Sequence, residues 1–180
     1  MKMIAYCSFK GGAGKTTALM AMCSSLVASG TKIALFEADQ NRPLQKWQQN
    51  ALANDTWDEL CQLFIADETE ALEQAYSDAV AHECQYALVD TQGGSSELNN
   101  IIVASADFLI LPTALTALDI DETLATYRYI VELLMNEELD TPSAVLKQRV
   151  PVGRLTMSQT TSDQMLEALP LFSEVMHDRD

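Results

Sequence analysis

A glycine-rich loop with a lysine near each end lies close to the start of the chain, and loops of this composition bind phosphate. The loop reads Lys-Gly-Gly-Ala-Gly-Lys-Thr over residues 10–16 and follows an apolar run over residues 3–9. Glycines that join a strand to a helix direct consecutive backbone N–H groups, and the positive end of the helix dipole, at one point. A Cβ at these positions would block the close approach of the backbone to an anion. The loop residues expected to bind phosphate are Gly11, Gly12, Ala13 and Gly14.

The side chains around these glycines indicate a nucleoside triphosphate with Mg²⁺. Lys15 can reach the β- and γ-phosphates as a flexible point charge, and the Thr16 hydroxyl can ligate Mg²⁺. The usual pattern G-x-x-x-x-G-K-[ST] requires a glycine where this chain has Phe9, and Lys10 comes next. Taken alone, Lys10 could be a solvated loop lysine on an ordinary tight turn. The order of apolar run, loop and helical stretch favours the phosphate site.

Two aspartates end apolar runs further along the chain. Asp39 follows the run over residues 32–38, and Asp90 closes the run Tyr-Ala-Leu-Val-Asp. Ligands of parallel sheets bind at the carboxyl ends of the strands, so we expect both aspartates to lie near the glycine-rich loop. A carboxylate buried at a strand end is costly unless it is paired or bound to a metal, which makes Asp90 a candidate metal ligand. Helix capping is the structural alternative for Asp39, and capping of a nearby loop is the alternative for Asp90.

The elements that must position these residues alternate along the chain. Helical stretches separate short apolar runs, and this alternation predicts an α/β fold with a mostly parallel, twisted sheet and helices on both faces. The predicted strands cover residues 3–9, 32–38, 63–66, 87–91, 108–112 and 144–150. The first helix is expected over residues 14–29, ending at Gly30, and the longest over residues 119–138. The length of 180 residues fits a single domain over residues 1–180.

The negative charge of the chain lies in its middle. The net charge is −15, and residues 47–127 contain fifteen Asp or Glu but no Lys or Arg. Much of this charge lies in residues 55–83, where apolar residues at helical spacing predict a helix with one apolar and one acidic face. The acidic face can be a solvated surface, a docking surface for a basic partner, or a surface that repels DNA.

Composition excludes several classes of protein. No apolar stretch approaches the roughly 18 to 20 residues of a membrane span, and the N-terminus has no secretory signal pattern, so we expect a cytoplasmic protein without membrane insertion. The four cysteines have no C-x-x-C spacing, so a zinc site is not expected. Buried, reduced thiols are the default for such cysteines.

With K-G-G-x-G-K-T-T over residues 10–17, the chain resembles the deviant Walker A ATPases of the ParA/MinD superfamily. The resemblance implies that Lys10 reaches the phosphates of the partner in an ATP-sandwich homodimer and that Thr17 helps to hold the α-phosphate. It implies that Asp90 holds Mg²⁺ through water. It makes ATP and Mg²⁺ the expected cofactors and ATP hydrolysis the expected activity. The iron–sulfur reductases of this superfamily need cluster cysteines on the switch segments, which this chain lacks.

Two further segments resemble the switches of this superfamily. Residues 36–41, Phe-Glu-Ala-Asp-Gln-Asn, occupy the place of the D-x-D-P-Q segment, with Glu37 at the first acidic position and Asp39 at the second. The resemblance assigns Asp39 to the activation of the attacking water and Lys15, with Lys10, to charge neutralisation. From Asp90 onward the family usually has Asp-Thr-Pro-Pro, whereas this chain has Gln92 and Gly93 in place of the two prolines. These replacements predict a more flexible second switch.

Longer strings narrow the resemblance to the VirC branch of the superfamily. The strings are Cys-Ser-Phe-Lys at residues 7–10, Phe-Glu-Ala-Asp at 36–39, Gly-Gly-Ser-Ser-Glu-Leu-Asn-Asn at 93–100 and Arg-Val-Pro-Val-Gly-Arg-Leu-Thr at 149–156. The branch implies an ATPase of T-DNA or conjugative transfer that binds DNA, helps a relaxase to assemble on it and brings the substrate to the secretion channel at the cell pole.

The C-terminal part of the chain leaves several alternatives open. The resemblance implies that Gln148 and Arg149 line the adenine pocket. DNA contact and a plain surface cluster are the rival roles of the basic cluster formed by Lys147, Arg149 and Arg154. Residues 171–176 are expected to form a last strand. The family continues beyond this point, whereas the present sequence stops at Asp180, so a truncated chain and a short variant are both open. The acidic closing residues cannot form a basic membrane-binding tail.

Three functions follow from these expectations. The leading one is a slow Mg²⁺-ATP hydrolase whose ATP-bound dimer acts as a switch in DNA partition or transfer. The second is a nucleotide-gated scaffold with negligible turnover, which the partial match of residues 36–41 favours. The third is a metabolite ligase of the dethiobiotin synthetase type on the same fold.

Overall fold

The computed structural model describes residues 1–178; Arg179 and Asp180, the last two of the closing residues considered above, lie outside the described residues. The chain alternates between strands and helices, as the apolar runs predict. The strands are β1 Lys2–Tyr6, β2 Ile33–Glu37, β3 Cys61–Ile65, β4 Tyr86–Asp90, β5 Phe108–Ala114 and β6 Ser143–Gln148. The helices are α1 Lys15–Ala28, α2 Pro43–Ala53, α3 Thr69–Ala81, α4 Glu97–Ser105, α5 Ala117–Asn136 and α6 Met157–Leu166.

The six strands form one parallel sheet in the order β3-β2-β4-β1-β5-β6. Successive strands are joined by helices, and such crossovers place neighbouring strands in the same direction. β1 lies between β4 and β5, so the loop that follows β1 emerges where the strand order reverses. Ligands of open parallel sheets bind at this kind of point. The predicted parallel α/β fold is confirmed.

Helices cover both faces of the sheet. α1 and α2 bury Leu19 and Leu44 against one face, together with Leu35 of the sheet. α3, α4, α5 and α6 pack on the other face, where Ile102 and Ile130 are fully or almost fully buried. Strands covered on both sides read as continuous apolar runs, which explains why they were recognisable in the sequence.

Two predicted strands are too long by two or more residues at their carboxyl ends. The first was expected to reach Phe9, but β1 ends at Tyr6 and Phe9 lies in the loop, where its backbone N–H donates to Thr126 Oγ1. The strand predicted over residues 144–150 was expected to reach Val150, but β6 ends at Gln148 because Arg149 has φ 51°. An apolar run does not reveal where the backbone leaves the extended conformation, so both ends were misplaced.

The expected strand over residues 171–176 is wrong. This segment forms two isolated parallel bridges beside β6, from Leu171 to Val145 and from His177 to Val150. Backbone hydrogen bonds join it to β6 at both places, from Phe172 N–H to the Val145 carbonyl and from Met176 N–H to the Lys147 carbonyl. The segment bends between these contacts at residues 173–174, so no continuous ladder forms.

The helix boundaries agree with the sequence to within two residues. α1 ends before Gly30, whose φ of 82° fits the predicted glycine after the helix. α5 begins two residues before the predicted start, because Thr116 caps it by accepting a hydrogen bond from Asp119 N–H. α3 buries Leu72 on its apolar face, and Glu73 is exposed on the acidic one. Within residues 1–178, no helix has the length and hydropathy that a membrane crossing needs.

Candidate nucleotide-binding site

The glycine-rich loop forms one wall of a cavity of about 400 Å³ at the carboxyl ends of the central strands. Gly12 and Gly14 have φ values of 80° and 88°, which L side chains rarely adopt. A Cβ on Gly14 would also lie 2.7 Å from Nε2 of Gln148. These constraints explain why glycine stands at the start of α1. The candidate site residues that line the cavity are Gly11, Gly12, Ala13, Gly14, Lys15, Thr16, Thr17, Asp39 and Arg149.

Lys15 is the first residue of α1 and is only 7% exposed. Burial lowers the pKa of its ammonium group, and the carboxylates of Asp90 and Asp39 oppose this shift. A buried cation at a helix N-terminus, beside loop N–H groups, creates a concentrated positive potential. The arrangement suits an anion as large as a phosphate chain.

Thr16 and Asp90 are in direct contact. Thr16 Oγ1 donates a 2.6 Å hydrogen bond to Asp90 Oδ2, while Asp90 Oδ1 is buried and has no hydrogen-bond partner within residues 1–178. Burial raises the pKa of Asp90 to about 6, although Thr16 and Lys15 both favour the ionised form. An orphaned carboxylate oxygen beside a hydroxyl fits a hydrated Mg²⁺, which prefers oxygen ligands and retains several waters. The residues present therefore fit the expected metal.

Lys10 is not directed at the cavity. Its Nζ lies 2.5 Å from Oδ1 of Asp119, in the first turn of α5. Burial alone would raise the pKa of Asp119, but hydrogen bonds from Lys10 and Thr116 hold it below its ordinary value. Lys10 is expected to bind the phosphates of a partner molecule, but in this conformation it is bound to an aspartate of its own chain.

Asp39 lies on the wall of the cavity, as predicted, but one of its oxygens is engaged. Asp39 Oδ1 accepts hydrogen bonds from the backbone N–H of Asn41 at 2.8 Å and from its side-chain amide at 2.9 Å. This contact caps the turn before α2 and is not the helix cap considered from the sequence, because the N-cap residue of α2 is Arg42. The structure thus brings Asp39 to the site and also gives it a structural contact.

Gln148 and Arg149 lie beside the glycine-rich loop. The Gln148 amide is 4% exposed and donates to the carbonyls of Ala13 at 3.3 Å and Gly14 at 3.2 Å. Arg149 Nη2 donates to the carbonyl of Gly12 at 3.4 Å. Together with Thr17 they line a second cavity, of about 620 Å³, that adjoins the loop. This position fits a nucleoside attached to phosphates in the loop.

The family of the chain follows from comparison with known proteins. The family model described as "VirC1 protein" matches residues 1–180. The chain belongs to the VirC1 family. One relative, "Protein virC1" of Rhizobium rhizogenes, is 57% identical over 180 residues, which are 100% of this chain and 78% of that protein.

Solved structures similar to this VirC1-family chain share its fold. A putative plasmid partition protein from Borrelia burgdorferi, bound to AMPPNP, has a TM-score of 0.77 at 14% identity, over 99% of this chain and 87% of that one. A cobyrinic acid a,c-diamide synthase from Mycobacterium smegmatis, with a bound ATP analogue and magnesium, has a TM-score of 0.75 at 11% identity, over 99% and 88%. The parallel sheet is therefore that of the P-loop NTPases, of the ParA/MinD-like type.

The segment that resembles the second switch makes contacts that the sequence did not predict. The side-chain amide of Asn99 donates to the carbonyls of Gln92 at 3.0 Å and Gly94 at 2.8 Å. Gly93 packs so closely on the loop that a Cβ would lie 3.3 Å from the backbone nitrogen of Gly11. In this VirC1-family chain, Asn99 therefore links the start of α4 to the segment for which Gln92 and Gly93 predict flexibility.

Sequence reasoning assigned no role to three residues that support the site: Asp119, Asn99 and Glu37. Asp119 contacts Lys10 of the glycine-rich loop, and Asn99 contacts the segment after β4. No pattern in this VirC1-family sequence links either residue to those segments. Glu37 occupies the first acidic position of the D-x-D pattern. Its Oε2 accepts a hydrogen bond from the backbone N–H of Gln45 at the start of α2. Its other oxygen is buried without a partner in the described residues, and burial raises its pKa to about 7. The sequence did contain a signal for Glu37, because a carboxylate within an apolar run is expected to be buried.

Proposed function

We propose that this chain is a Mg²⁺-dependent ATP hydrolase whose ATP-bound dimer acts as a switch in the processing of T-DNA or conjugative DNA. The contact between Thr16 and Asp90 carries the proposal, because it leaves a buried carboxylate oxygen unpaired beside a glycine-rich loop and a buried lysine. Membership of the VirC1 family supports the link to DNA transfer. The fold shared with proteins bound to ATP analogues supports ATP as the nucleotide.

Each residue of the site has a role in this proposal. Lys15 and the backbone N–H groups of residues 11–14 bind the phosphates, and Thr17 contributes at the α-phosphate. Thr16, with Asp90 acting through water, holds Mg²⁺, which supplies charge neutralisation when bound. Asp39 orients and activates the attacking water through the carboxylate oxygen that Asn41 leaves unbound. Gln148 and Arg149 lie where the nucleoside would bind.

The proposed switch is the association of two copies around ATP. Lys10 leaves Asp119 and binds the phosphates of the partner copy, which explains why a second lysine stands on the loop. Exposed apolar side chains support the binding of a second copy of the chain. Leu118, which precedes Asp119 in the chain, is 72% exposed, and Val152, after β6, is 81% exposed. Such side chains would be buried in a dimer.

DNA, a relaxase and a coupling protein of a secretion channel are the proposed partners, in the cytoplasm and at the cell pole. The basic residues Lys147 and Arg149, at the carboxyl end of β6, support DNA contact only weakly in one copy. Lys147 forms a 2.8 Å ion pair with Asp163, and Arg149 contacts the glycine-rich loop. We therefore assign DNA binding to the dimer, in which two basic segments come together, or to a basic partner protein.

A nucleotide-gated scaffold with negligible turnover is the second candidate. The engagement of Asp39 with Asn41 favours it, because a carboxylate that caps a turn is held away from catalysis by that contact. In this case ATP would be bound tightly and the dimer would persist. Phosphate release in the presence of Mg²⁺-ATP and DNA distinguishes the two candidates.

Lysine substitutions test the proposal. Lys15→Ala should abolish ATP binding, measured with a fluorescent ATP analogue, because the phosphates lose their buried cation. Lys10→Ala should retain binding but remain monomeric by light scattering with Mg²⁺-ATP. Lys46→Ala, at an exposed position on α2, is the matched control and should behave as the parent. Normal dimerisation and hydrolysis by Lys10→Ala would contradict the sandwich model.

A further inference from the structure

Two cysteines that the nucleotide site does not use are in contact within the described part of the chain. Cys23, in the middle of α1, and Cys61, the first residue of β3, have their sulfur atoms 3.4 Å apart. The two side chains are 1% and 5% exposed. They lie 38 positions apart in the sequence, so the fold and not a local turn brings them together. Each is a free thiol in this structure.

The pair lies at the side of a cavity that is open to solvent. This cavity, of about 350 Å³, lies between α1, α2 and the loop before β3, and both cysteines line it. The rings of Trp47 and Trp57 line it as well and contact each other edge to face, with centroids 5.3 Å apart. Trp57 Nε1 donates to the carbonyl of Cys61 at 3.1 Å. This cavity is the route by which a small reagent would reach the two buried thiols.

The other two cysteines provide an internal contrast. Burial raises the pKa of the Cys7 and Cys84 thiols, and neither has a thiol neighbour in the described residues comparable to the Cys23–Cys61 contact. For the pair, a hydrogen bond between the sulfur atoms lowers the pKa of Cys23 and raises that of Cys61. The first proton leaves more readily because the remaining thiol stabilises the thiolate, and thiolates are the reactive form.

We propose that Cys23 and Cys61 are a covalent modification site, at which low-molecular-weight disulfides oxidise the two thiols to a disulfide bond between α1 and β3. The Cys23 thiolate attacks one sulfur of the small disulfide, forms a mixed disulfide and releases one small thiolate. Cys61 then loses its proton and attacks the Cys23 sulfur, releasing the second small thiol. Two protein thiols are oxidised, and one small disulfide is reduced to two thiols.

The bond would connect the helix that carries Lys15 to the edge of the sheet. α1 begins at the glycine-rich loop, and β3 is the last strand on that side. A disulfide restricts the unfolded chain, so the oxidised protein should have a higher Tm. The chain contains two tryptophans, and both line the cavity, so a disulfide formed there should quench most of the tryptophan fluorescence.

The test is oxidation of the full chain with oxidised glutathione at graded ratios to reduced glutathione. The proposal expects one Cys23–Cys61 peptide in a non-reducing digest, with Cys7 and Cys84 still alkylated, quenched tryptophan fluorescence and a raised Tm, all reversed by dithiothreitol. Cys23→Ser and Cys61→Ser should each abolish the quenching, whereas Cys84→Ser should not. The digest of the parent protein requires no variant, so it remains decisive if a serine variant folds poorly. The proposal is overturned if the accessible thiols are fully oxidised by glutathione and the Cys23–Cys61 peptide does not form, or if other cysteines pair.

Discussion

Lys10 Nζ and Asp119 Oδ1 lie 2.5 Å apart and join the glycine-rich loop to the first turn of α5. The lysine is 39% exposed and the aspartate 15%, so water reaches the pair from one side. A partly exposed ion pair is worth at most about 1 kcal/mol. The contact is therefore weak enough to be exchanged for phosphate in the proposed dimer.

Asp119→Asn should release Lys10 and favour the ATP-bound dimer. Each of the two copies loses up to about 1 kcal/mol of competing interaction, so the dissociation constant of the dimer should fall by up to roughly 30-fold. Light scattering of a protein dilution series with Mg²⁺-ATP measures the shift, and Asp107→Asn, which breaks the exposed pair of Lys2, is the control. Weaker dimerisation of Asp119→Asn would show that Asp119 positions Lys10 for the partner and does not compete with it.

The two roles of Asp39 can be separated by two substitutions. Asp39→Asn keeps an amide oxygen that can accept from Asn41, whereas Asp39→Ala removes the cap as well as the charge. If Asp39 activates water, both variants should bind ATP and lose about 10²-fold or more in hydrolysis rate. If Asp39 only caps the loop, Asp39→Asn should hydrolyse ATP like the parent. Single-turnover phosphate release measures the difference.

Asp90→Asn should remove the dependence of ATP binding on Mg²⁺. The parent should bind ATP more tightly with Mg²⁺ than with EDTA, and the difference should decrease as the pH falls below about 6, where Asp90 becomes protonated. In the variant the two affinities should be similar at every pH. Titration with a fluorescent ATP analogue at pH 5.5 and 8 measures this. An unchanged Mg²⁺ effect in Asp90→Asn would exclude Asp90 from the metal site.

Glu37→Gln should stabilise the protein at high pH. Burial raises the pKa of Glu37 from 4.5 to about 7, so the folded state binds a proton more tightly than the unfolded state. The parent therefore loses stability as the pH rises from about 4.5 through about 7, by up to about 3 kcal/mol. Glutamine keeps an acceptor for Gln45 N–H and does not titrate. Urea unfolding should show the gain at pH 8 and little of it at pH 5; an equal gain at both would assign it to packing.

Gly14→Ala should be more harmful than Gly30→Ala, although both glycines have a positive φ. The φ values are 88° and 82°, so the conformational cost of alanine is similar, about 1–2 kcal/mol. A Cβ on Gly14 would also meet the Gln148 amide at 2.7 Å, whereas none of the atoms described lies within 4 Å of one on Gly30. Urea unfolding should show the larger loss for Gly14→Ala, and ATP binding should be lost only there. Equal losses would mean that Gln148 moves freely.

The fold was predictable because its determinants are local. Strands buried on both faces produce apolar runs, and the glycine after α1 marks its end, so the parallel sheet and the bounds of most elements followed from pattern. The ends of β1 and β6 did not, because the departures at Phe9 and Arg149 depend on contacts with α5 and the loop. The failed strand over residues 171–176 has the same cause, since a local apolar pattern does not fix strand pairing.

By itself, the sequence determined the chemistry that is available: a glycine loop with two lysines, a threonine beside it, and carboxylates at strand ends, in an order that only a parallel sheet can bring to one edge. The tertiary structure decided how those groups are used. It pairs Lys10 with Asp119, 109 positions away, ties the second switch to Asn99 and places Cys23 against Cys61. These contacts depend on distances between side chains of remote elements, and packing sets such distances only after the whole chain has folded.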